Sequence, residues 1–483
     1  MSGDPSLLAG LLIYLAAMLG IGIAASRYMK TLDDFVLGGR RLGPWVAAIS
    51  ERASGESAWF LLGLPGAAYG LGFTEYWSVI GIAAGILASW TFIAIPLRRE
   101  TGRLGAITIP DYLELRFNDR TRLLRLHSMV VILFFYTAYV AAQLHGAGKI
   151  LHATFGIDIF WGIVIGAAVV MLYTLLGGFL AVAWTDLIQG LLMMSVALIL
   201  PLVGLIAVGG PRALVETLAV RGPEFLTMSG GKTGHAFFFG VVVGGLSWGF
   251  GYLGQPHLLT RYMAIRKTSE LRKGGAIAMG WTLLSYWGAP MIGIVGVAVL
   301  GPELADPEQV MPLLARTLMP GWLAGIMIAG ATAAMMSTAD SQLLVAASTL
   351  VEDIYVRLFR PAAPGRLVLL SRLTTMVIAG LAFILALMAL AGSQLIDSMV
   401  AYAWTGLGAS FGPPLVLSLW WRGTTRYGAL AGILGGMTAT ILWHNLEGLG
   451  ALLDIKAAAV IVSALLVVGV SLASRSGDRV NHP

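Results

Sequence analysis

The chain has 483 residues, of which 57% are hydrophobic and 12% are charged, with a formal net charge of +6. Soluble globular proteins carry about 25% charged residues, so this composition and its recurrent apolar runs predict an all-α, multi-pass membrane protein. Cysteine is absent, which excludes disulfides and cysteine-based metal or redox sites.

The apolar runs predict about thirteen transmembrane helices joined by short loops. Their approximate limits are 6–26, 43–70, 74–97, 126–152, 158–178, 184–209, 236–262, 274–300, 320–350, 368–391, 395–420, 427–446 and 456–474. With the N-terminus outside, 24 of the 31 Lys and Arg residues fall in inside loops and 6 in outside segments. The positive-inside rule therefore predicts a cytoplasmic C-terminus in the cell (inner) membrane. The basic surplus then faces the anionic leaflet of the lipid bilayer, and we expect no nucleic-acid partner.

The second span contains an unusual stretch, "ISERASGESAWFLLGLPG", with Glu51, Arg52 and Glu56 close together. A charge at the centre of a bilayer costs about 2.5–3.5 kcal/mol on insertion scales. Such residues therefore mark either a functional charge network or an i, i+4 pair, Arg52 with Glu56, that neutralises itself. Gly55, Gly63 and Pro65 indicate that this helix is broken.

The seventh span, "GGLSWGFGYLGQPHLLTRY", is interrupted by glycines and by Pro256. Two interrupted helices at matching positions of two halves are typical of inverted-repeat transporters, whose binding site lies near the midplane. The pattern GxGxxG within "GFGYLG" follows no strand, so it does not indicate nucleotide binding. Trp248 and Tyr252 lie in the middle of the span, which favours a place beside a cavity over a place at the membrane interface.

The ninth span, "AGATAAMMSTADSQLLVAAS", combines hydroxyls with a carboxylate. Ser337 and Ser341 share one helical face, and Thr338 and Asp340 flank it. Oxygen ligands suit a hard cation such as sodium. The alternative is that these hydroxyls only bond a carbonyl one turn back. His145 and His257 have no metal-ligand spacing, and no nucleophile-base constellation indicates an enzyme.

Seven ordered strings cover nearly the whole chain and carry a resemblance to a known family. They are "LGGRRLGP" (37–44), "SAWFLLGLPGA" (57–67), "IPDYLELRF" (109–117), "YTLLGGFLAVAWTDLIQ" (173–189), "SWGFGYLGQPH" (247–257), "MSTADSQLLVAASTLVEDIY" (336–355) and "AYAWTGLGASFGP" (401–413). The chain is identified by them as a member of the sodium:solute symporter family, and it most resembles the bacterial sodium/proline symporters.

The resemblance implies a five-plus-five inverted-repeat core with discontinuous helices, built from spans two to six and seven to eleven. Residues 1–483 then form one transport domain, with an extra N-terminal helix and loop at 1–42, repeats at 43–209 and 235–420, and C-terminal helices at 427–483. It also implies a main sodium site. Its ligands are the carbonyls of Ala53, Glu56 and Ala334 and the hydroxyls of Ser337 and Thr338.

By the same resemblance, Asp186 with Asp340 and Ser341 forms a candidate second sodium site. The substrate region is implied to include residues of the two broken helices and of the fourth span. These are Ser54, Gly55, Ser57, Trp59, Tyr139, Trp248, Tyr252 and Pro256.

The second span departs from the pattern of the sodium/proline symporters. The proline symporters carry an Asp where this chain has Gly55, and small or apolar residues where it has Glu51, Arg52 and Glu56. These residues are therefore the place to look for a different solute or a coupling step.

We expect secondary active transport of a small solute, proline or a related amino acid, with co-transported sodium and no obligate protein partner. The alternative is a proton-coupled or dual-coupled symporter of another amino or carboxylic acid, with Glu51 or Glu56 as proton carrier. A membrane sensor is less favoured, because no cytoplasmic output domain follows the last span. An open channel is disfavoured by the broken helices.

Overall fold

The computed structural model describes residues 5–26, 37–176, 178–352, 355, 364–392, 395–446 and 448–474. Within them, thirteen long helical segments correspond one to one with the predicted spans. They are α1 Pro5–Ser26, α2 44–71, α3 76–104, α4 Leu123–Phe155, α5 Ile159–Leu176, α6 Phe179–Val208, α7 236–264, α8 Leu271–Leu300, α9 Gly321–Leu350, α10 Pro364–Ala391, α11 Ile396–Trp420, α12 Arg426–Asn445 and α13 Ile455–Ser474. The prediction of an all-α fold is confirmed over these residues.

By length and composition alone, seven helical stretches of the described chain qualify as membrane spans, or eight if the bent α7 is counted. One of these stretches, Pro44–Leu104, contains both α2 and α3. Short helices occupy several connections: Ile109–Phe117, Pro211–Leu218, Val310–Leu318 and Leu449–Leu452. Six of the basic residues counted for the orientation lie outside the described residues: Arg27, Lys30, Arg357, Arg360, Arg475 and Arg479.

The helix α2 is broken at Ser57, which has φ 51° and ψ −177°. Ser57 lies near the end of the helical run Pro44–Ala58, just before the π-helical turn Trp59–Gly63. Side chains of other helices satisfy the backbone N–H groups that this break frees. Ser57 N donates to Thr338 Oγ1 at 3.0 Å, and Ala58 N donates to Gln143 Oε1 at 2.7 Å. Irregular backbone at this depth is tolerated where protein supplies such partners.

The helix α7 is broken between Gly251 and Pro256, and its two halves are bent by 46°. Here His257 N donates to the Tyr136 hydroxyl at 2.8 Å, and Gln255 Nε2 donates to Trp404 O at 3.0 Å. Both predicted interruptions are therefore present, and each is held by side chains from neighbouring helices.

The segment before α2 pairs with the segment after α7. Leu42 and Ile265 form an isolated parallel bridge, in which Leu42 N donates to Ala264 O and Arg266 N donates to Leu42 O. The start of one broken helix is thus fixed to the end of the other, as expected of two halves with opposite topology.

The broken helices lie at the centre of the bundle. The helix α2 packs against α6, α8 and α9, while α12 and α13 pack on each other and on α11 at its edge. Close backbone approach brings α3 to α7, because a Cβ at Gly85 would lie only 2.1 Å from Gly249 O. Small residues at such crossings let membrane helices pack closely.

Candidate functional site

The predicted hydroxyl ligands of α9 meet the backbone of α2 just before its break. Ser337 Oγ donates to Ala53 O at 3.0 Å and to Ala334 O at 3.1 Å. Thr338 Oγ1 donates to Ser54 O at 2.9 Å and accepts from Ser57 N at 3.0 Å. All six residues are buried. The hydroxyls therefore bridge two helices, and do more than bond back within α9.

The structure brings together four of the five residues predicted for the main sodium site through these contacts: Ala53, Ala334, Ser337 and Thr338. The carbonyl of the fifth, Glu56, accepts the Trp59 N–H within α2. Carbonyl and hydroxyl oxygens are the neutral ligands that suit a monovalent hard cation.

The three residues predicted for a second sodium site lie around Arg261, with Asp340 and Ser341 on α9 and Asp186 on α6. Arg261 Nη2 lies 3.0 Å from Asp186 Oδ2 and 2.6 Å from Ser341 Oγ. Ser341 Oγ in turn lies 3.2 Å from Asp340 Oδ1. The other oxygen of Asp186, Oδ1, is buried with no hydrogen-bond partner among the described residues. The predicted carboxylates are therefore adjacent, but one already holds a guanidinium that the sequence interpretation missed.

A narrow cavity of about 10 Å³ lies beside the break in α2. It is smaller than the 300–1,000 Å³ that is typical for drug-sized ligands. Residues of α2, α3, α4, α7 and α11 line it: Gly55, Ser57, Trp59, Ile82, Tyr139, Trp248, Tyr252, Val400 and Trp404. Six of the eight predicted substrate residues are in this lining. The other two are elsewhere: Ser54 bonds Asp186 at 2.9 Å, and Pro256 starts the second half of α7.

Aromatic rings close one side of the cavity. The rings of Trp59 and Trp248 lie 4.5 Å apart, and the ring of Tyr252 packs edge-on to Trp404 at 4.7 Å. Trp59 Nε1 donates to Asp397 Oδ1 at 2.6 Å, and Lys456 Nζ lies 4.8 Å from the centre of a Trp248 ring. Charged side chains thus anchor both tryptophans.

The three charged residues of α2 form one buried cluster. Arg52 Nη1 lies 3.1 Å from Glu56 Oε1, and Arg52 also forms an ion pair with Glu51. All three side chains are shielded from lipid by the surrounding helices, since their residues are at most 1% exposed. The i, i+4 pair expected from the sequence is present, and it is extended by a second carboxylate.

Several residues of the site escaped the sequence interpretation because they are isolated polar or aromatic residues in apolar spans. Arg261, Gln143, Asp397 and Trp404 each contact a predicted residue, but no local pattern distinguishes them. The signal that was available for Arg261 and Gln143 was burial of a polar side chain in a membrane span, which usually indicates function.

A helical membrane fold in which two broken helices meet at a cluster of buried hydroxyl and carbonyl oxygens and an aromatic cavity defines a secondary transporter of the five-plus-five inverted-repeat class. Solved structures share this fold. A Na⁺-coupled sialic acid symporter in a substrate-bound outward-open state aligns over 98% of this chain and 97% of its own, with a TM-score of 0.82 and 24% identity. A nucleobase-cation-symport-1 family transporter in a closed conformation aligns over 92% and 95%, with a TM-score of 0.56 and 14% identity.

Sequence comparison gives the family. The profile of the sodium:solute symporter family matches residues 35–436. A high-affinity proline transporter of Bacillus subtilis is 41% identical over 433 residues, 89% of this chain and 90% of that protein. A sodium/proline symporter of Escherichia coli is 38% identical over 447 residues, 91% and 88% of the two chains.

The chain belongs to the sodium:solute symporter family. It is therefore a multi-pass membrane transporter, not an enzyme, and sodium is its co-transported ion. The predicted fold class, transport function and coupling ion are confirmed.

Proposed function

We propose that this chain accumulates proline, or a closely related small amino acid, by coupling its uptake to inward sodium flux. The proline-transporting relatives support the solute. The observation that carries the coupling is the bridge from Ser337 and Thr338 to the carbonyls of Ala53 and Ser54. These carbonyls lie within a turn of Gly55 and Ser57, which line the cavity. Ion and solute are thus held by the same interrupted helix.

Sodium is the first ligand in this proposal. It binds the carbonyls of Ala53, Glu56 and Ala334 and the hydroxyls of Ser337 and Thr338, and so joins α9 to the break in α2. By linkage, if sodium raises the affinity for the solute, the solute raises the affinity for sodium by the same factor. The membrane potential adds about 2.3 kcal/mol per charge per 100 mV to the driving force for sodium entry.

The solute binds in the aromatic cavity. The cavity is nearly closed, so its lining must separate to admit a solute, and a small molecule requires the least rearrangement. The rings of Trp59, Tyr139, Trp248, Tyr252 and Trp404 offer apolar faces for a ring such as that of proline. The hydroxyl-bearing residues Ser57 and Tyr139 of the lining supply polar groups for the charged ends of a zwitterion. Release then follows when repeats 43–209 and 235–420 rearrange around this site.

A second cation is assigned to Asp186, Asp340 and Ser341. The support is the Asp186 Oδ1 atom, which is buried without a hydrogen-bond partner among the described residues, and the neighbouring oxygens of Asp340 and Ser341. Arg261 already holds Asp186 Oδ2, so this site is expected to bind more weakly than the main one.

The charge distribution supports the orientation. If the N-terminus lies outside the cell (inner) membrane and the C-terminus lies in the cytoplasm, 24 of the 31 Lys and Arg residues are on the cytoplasmic side.

The test is uptake of labelled proline into proteoliposomes that contain the purified protein. Accumulation should require an inward sodium gradient and should rise when the interior is made negative. Accumulation under a proton gradient without sodium would contradict sodium coupling, and would support Glu51 or Glu56 as a proton carrier. Competition by unlabelled amino acids identifies the preferred solute.

A further inference from the structure

The charged cluster Glu51–Arg52–Glu56, the α2 triad, is built around Arg52. Its Nε donates to Glu51 Oε2 at 2.7 Å, its Nη2 donates to Glu51 Oε1, and its Nη1 lies 3.1 Å from Glu56 Oε1. The guanidinium is thereby fixed on three of its nitrogens. Buried ion pairs of this kind contribute little net stability against apolar replacements, so their value lies in orientation.

The carboxylates of the α2 triad extend the network to three other helices. Glu51 accepts from Trp90 Nε1 at 3.0 Å and from the Tyr262 hydroxyl at 3.2 Å. Glu56 accepts from the Tyr286 hydroxyl. The first half of α2 is thus connected to α3, α7 and α8 by hydrogen bonds.

Two sets of contacts from the α2 triad reach Tyr252, which lines the solute cavity: one through Arg52 and one through Glu56 and Tyr286. The Arg52 guanidinium carbon lies 5.0 Å from the centre of the Tyr252 ring, a cation–π distance. The Tyr252 hydroxyl lies 3.1 Å from that of Tyr286, the residue that donates to Glu56. Arg52 therefore fixes the face of the Tyr252 ring, and Tyr286 fixes its hydroxyl.

The position of Tyr252 affects the shape of the cavity. A Cβ added at Gly55 would lie 3.6 Å from Tyr252 Cε1, so the tyrosine edge borders the space that a side chain at position 55 would fill. Its ring also packs edge-on against Trp404. A shift of Tyr252 would therefore change the shape of the cavity between α2, α7 and α11.

We propose that Arg52 and Glu56 are positioning residues that hold Tyr252 against the cavity and thereby set which small solute this transporter accepts. The proposal rests on the sodium-coupled uptake proposed above. It assigns a role to the charges of α2 that requires no net charge movement and no contact with the solute.

The test replaces the whole triad with apolar residues, Glu51→Ala, Arg52→Leu and Glu56→Met, because replacing all partners of a buried ion cluster is tolerated better than removing one. We expect the KM for the preferred amino acid to rise about tenfold or more, equivalent to 1.4 kcal/mol. The order in which cyclic and linear amino acids compete should also change, because the shape of the cavity changes with the position of Tyr252. A triple variant with an unchanged KM and competition order would overturn the proposal.

Glu56→Gln and Tyr252→Phe provide the same readout with minimal change of volume, and they serve if the triple variant does not reach the membrane. Each should raise KM more than it lowers the maximal rate. Combined, they should be less than additive, because both act on one chain of contacts. Fully additive effects would contradict the proposal.

Asp111→Asn is the matched control. Asp111 is a buried carboxylate paired with Arg125 at 2.6 Å, in a helix that does not line the cavity. It should lower the amount of folded protein without changing the competition order. Failure of the unsubstituted protein to show sodium-driven uptake would instead contradict the proposed function, so the two failures are distinguishable.

Discussion

The Ser337 hydroxyl of α9 lies 3.0 Å from the carbonyl oxygen of Ala53 in α2. It thus connects the ninth segment to the helix that breaks four residues later, beside the solute cavity. Any ion bound by these oxygens necessarily acts on both helices. In the proposed mechanism, ion and solute are therefore coupled through the single interrupted turn of α2.

The double substitution Ser337→Ala with Thr338→Ala should weaken sodium coupling. It removes both hydroxyl ligands and keeps the α-helical backbone of α9. We expect the sodium concentration for half-maximal uptake to rise about tenfold or more, equivalent to at least 1.4 kcal/mol. Sodium titrations of initial uptake rates in proteoliposomes measure the change.

Thr332→Ala is the control for that experiment. Its hydroxyl lies on the same helix but bonds only Ile328 O one turn back, at 3.3 Å. Its sodium dependence should match that of the unsubstituted protein. An unaltered sodium requirement in the double variant would refute the assignment of these hydroxyls.

Substitution by alanine should have different effects at Gly85 and at Gly55. A Cβ at Gly85 would lie 2.1 Å from Gly249 O, where α3 meets α7, whereas one at Gly55 would lie 3.4 Å from Leu258 Cδ2. Gly85→Ala should therefore cost about 1–3 kcal/mol of stability through overpacking. Gly55→Ala should fold normally and raise the KM for the solute, because its methyl group narrows the cavity.

Thermal unfolding of both variants in detergent, followed by tryptophan fluorescence, checks this prediction. A Gly85→Ala protein as stable as the unsubstituted one would show that the α3–α7 crossing is looser than the structure indicates. Transport by Gly55→Ala supplies the second readout.

The sequence predicted the thirteen segments and the hydroxyl pair because both follow regular patterns along the chain. It attributed the break in α2 to Gly55, Gly63 and Pro65, but the backbone leaves the helical conformation at Ser57. The positive φ of Ser57 is held by two backbone hydrogen bonds to other helices. Ser57 N donates to Thr338, 281 residues away, and Ala58 N donates to Gln143, 85 residues away. Contacts of such separation, like that of Arg261 with Asp186, have no local signature in one sequence.

Glu75 predicts a pH dependence of stability. It lies in the 3₁₀ turn Gly72–Glu75 between α2 and α3, outside the membrane-spanning segments. Burial raises the pKa of Glu75 from 4.5 to about 7; the nearby Asp397 carboxylate also raises it, and Ser78 and Lys456 oppose the shift. Between these values the folded protein keeps a proton that the unfolded chain releases. Stability should therefore fall as pH rises from about 4.5 to 7.

Unfolding temperatures measured across that pH range test this sign. Glu75→Gln should flatten the dependence, because its side chain does not titrate. Glu216→Gln is the control, since Glu216 is exposed and paired only with the exposed Arg212. An equal pH slope in the Glu75→Gln variant and in the unsubstituted protein would exclude Glu75 as the source.

The proposed second cation site predicts a change in the sodium response. Asp340 Oδ1 lies 3.2 Å from Ser341 Oγ, and Ser341 is linked through Arg261 to Asp186. The Oδ1 atom of Asp186 is buried with no hydrogen-bond partner among the described residues. If two ions bind cooperatively, the Hill coefficient for sodium exceeds one and approaches the number of sites. Asp340→Ala should reduce it to one while sodium-dependent uptake persists, because the main site keeps its ligands. Thr349→Ala, further along the same helix, should leave it unchanged, and a Hill coefficient of one in the unsubstituted protein would rule out a cooperative second ion.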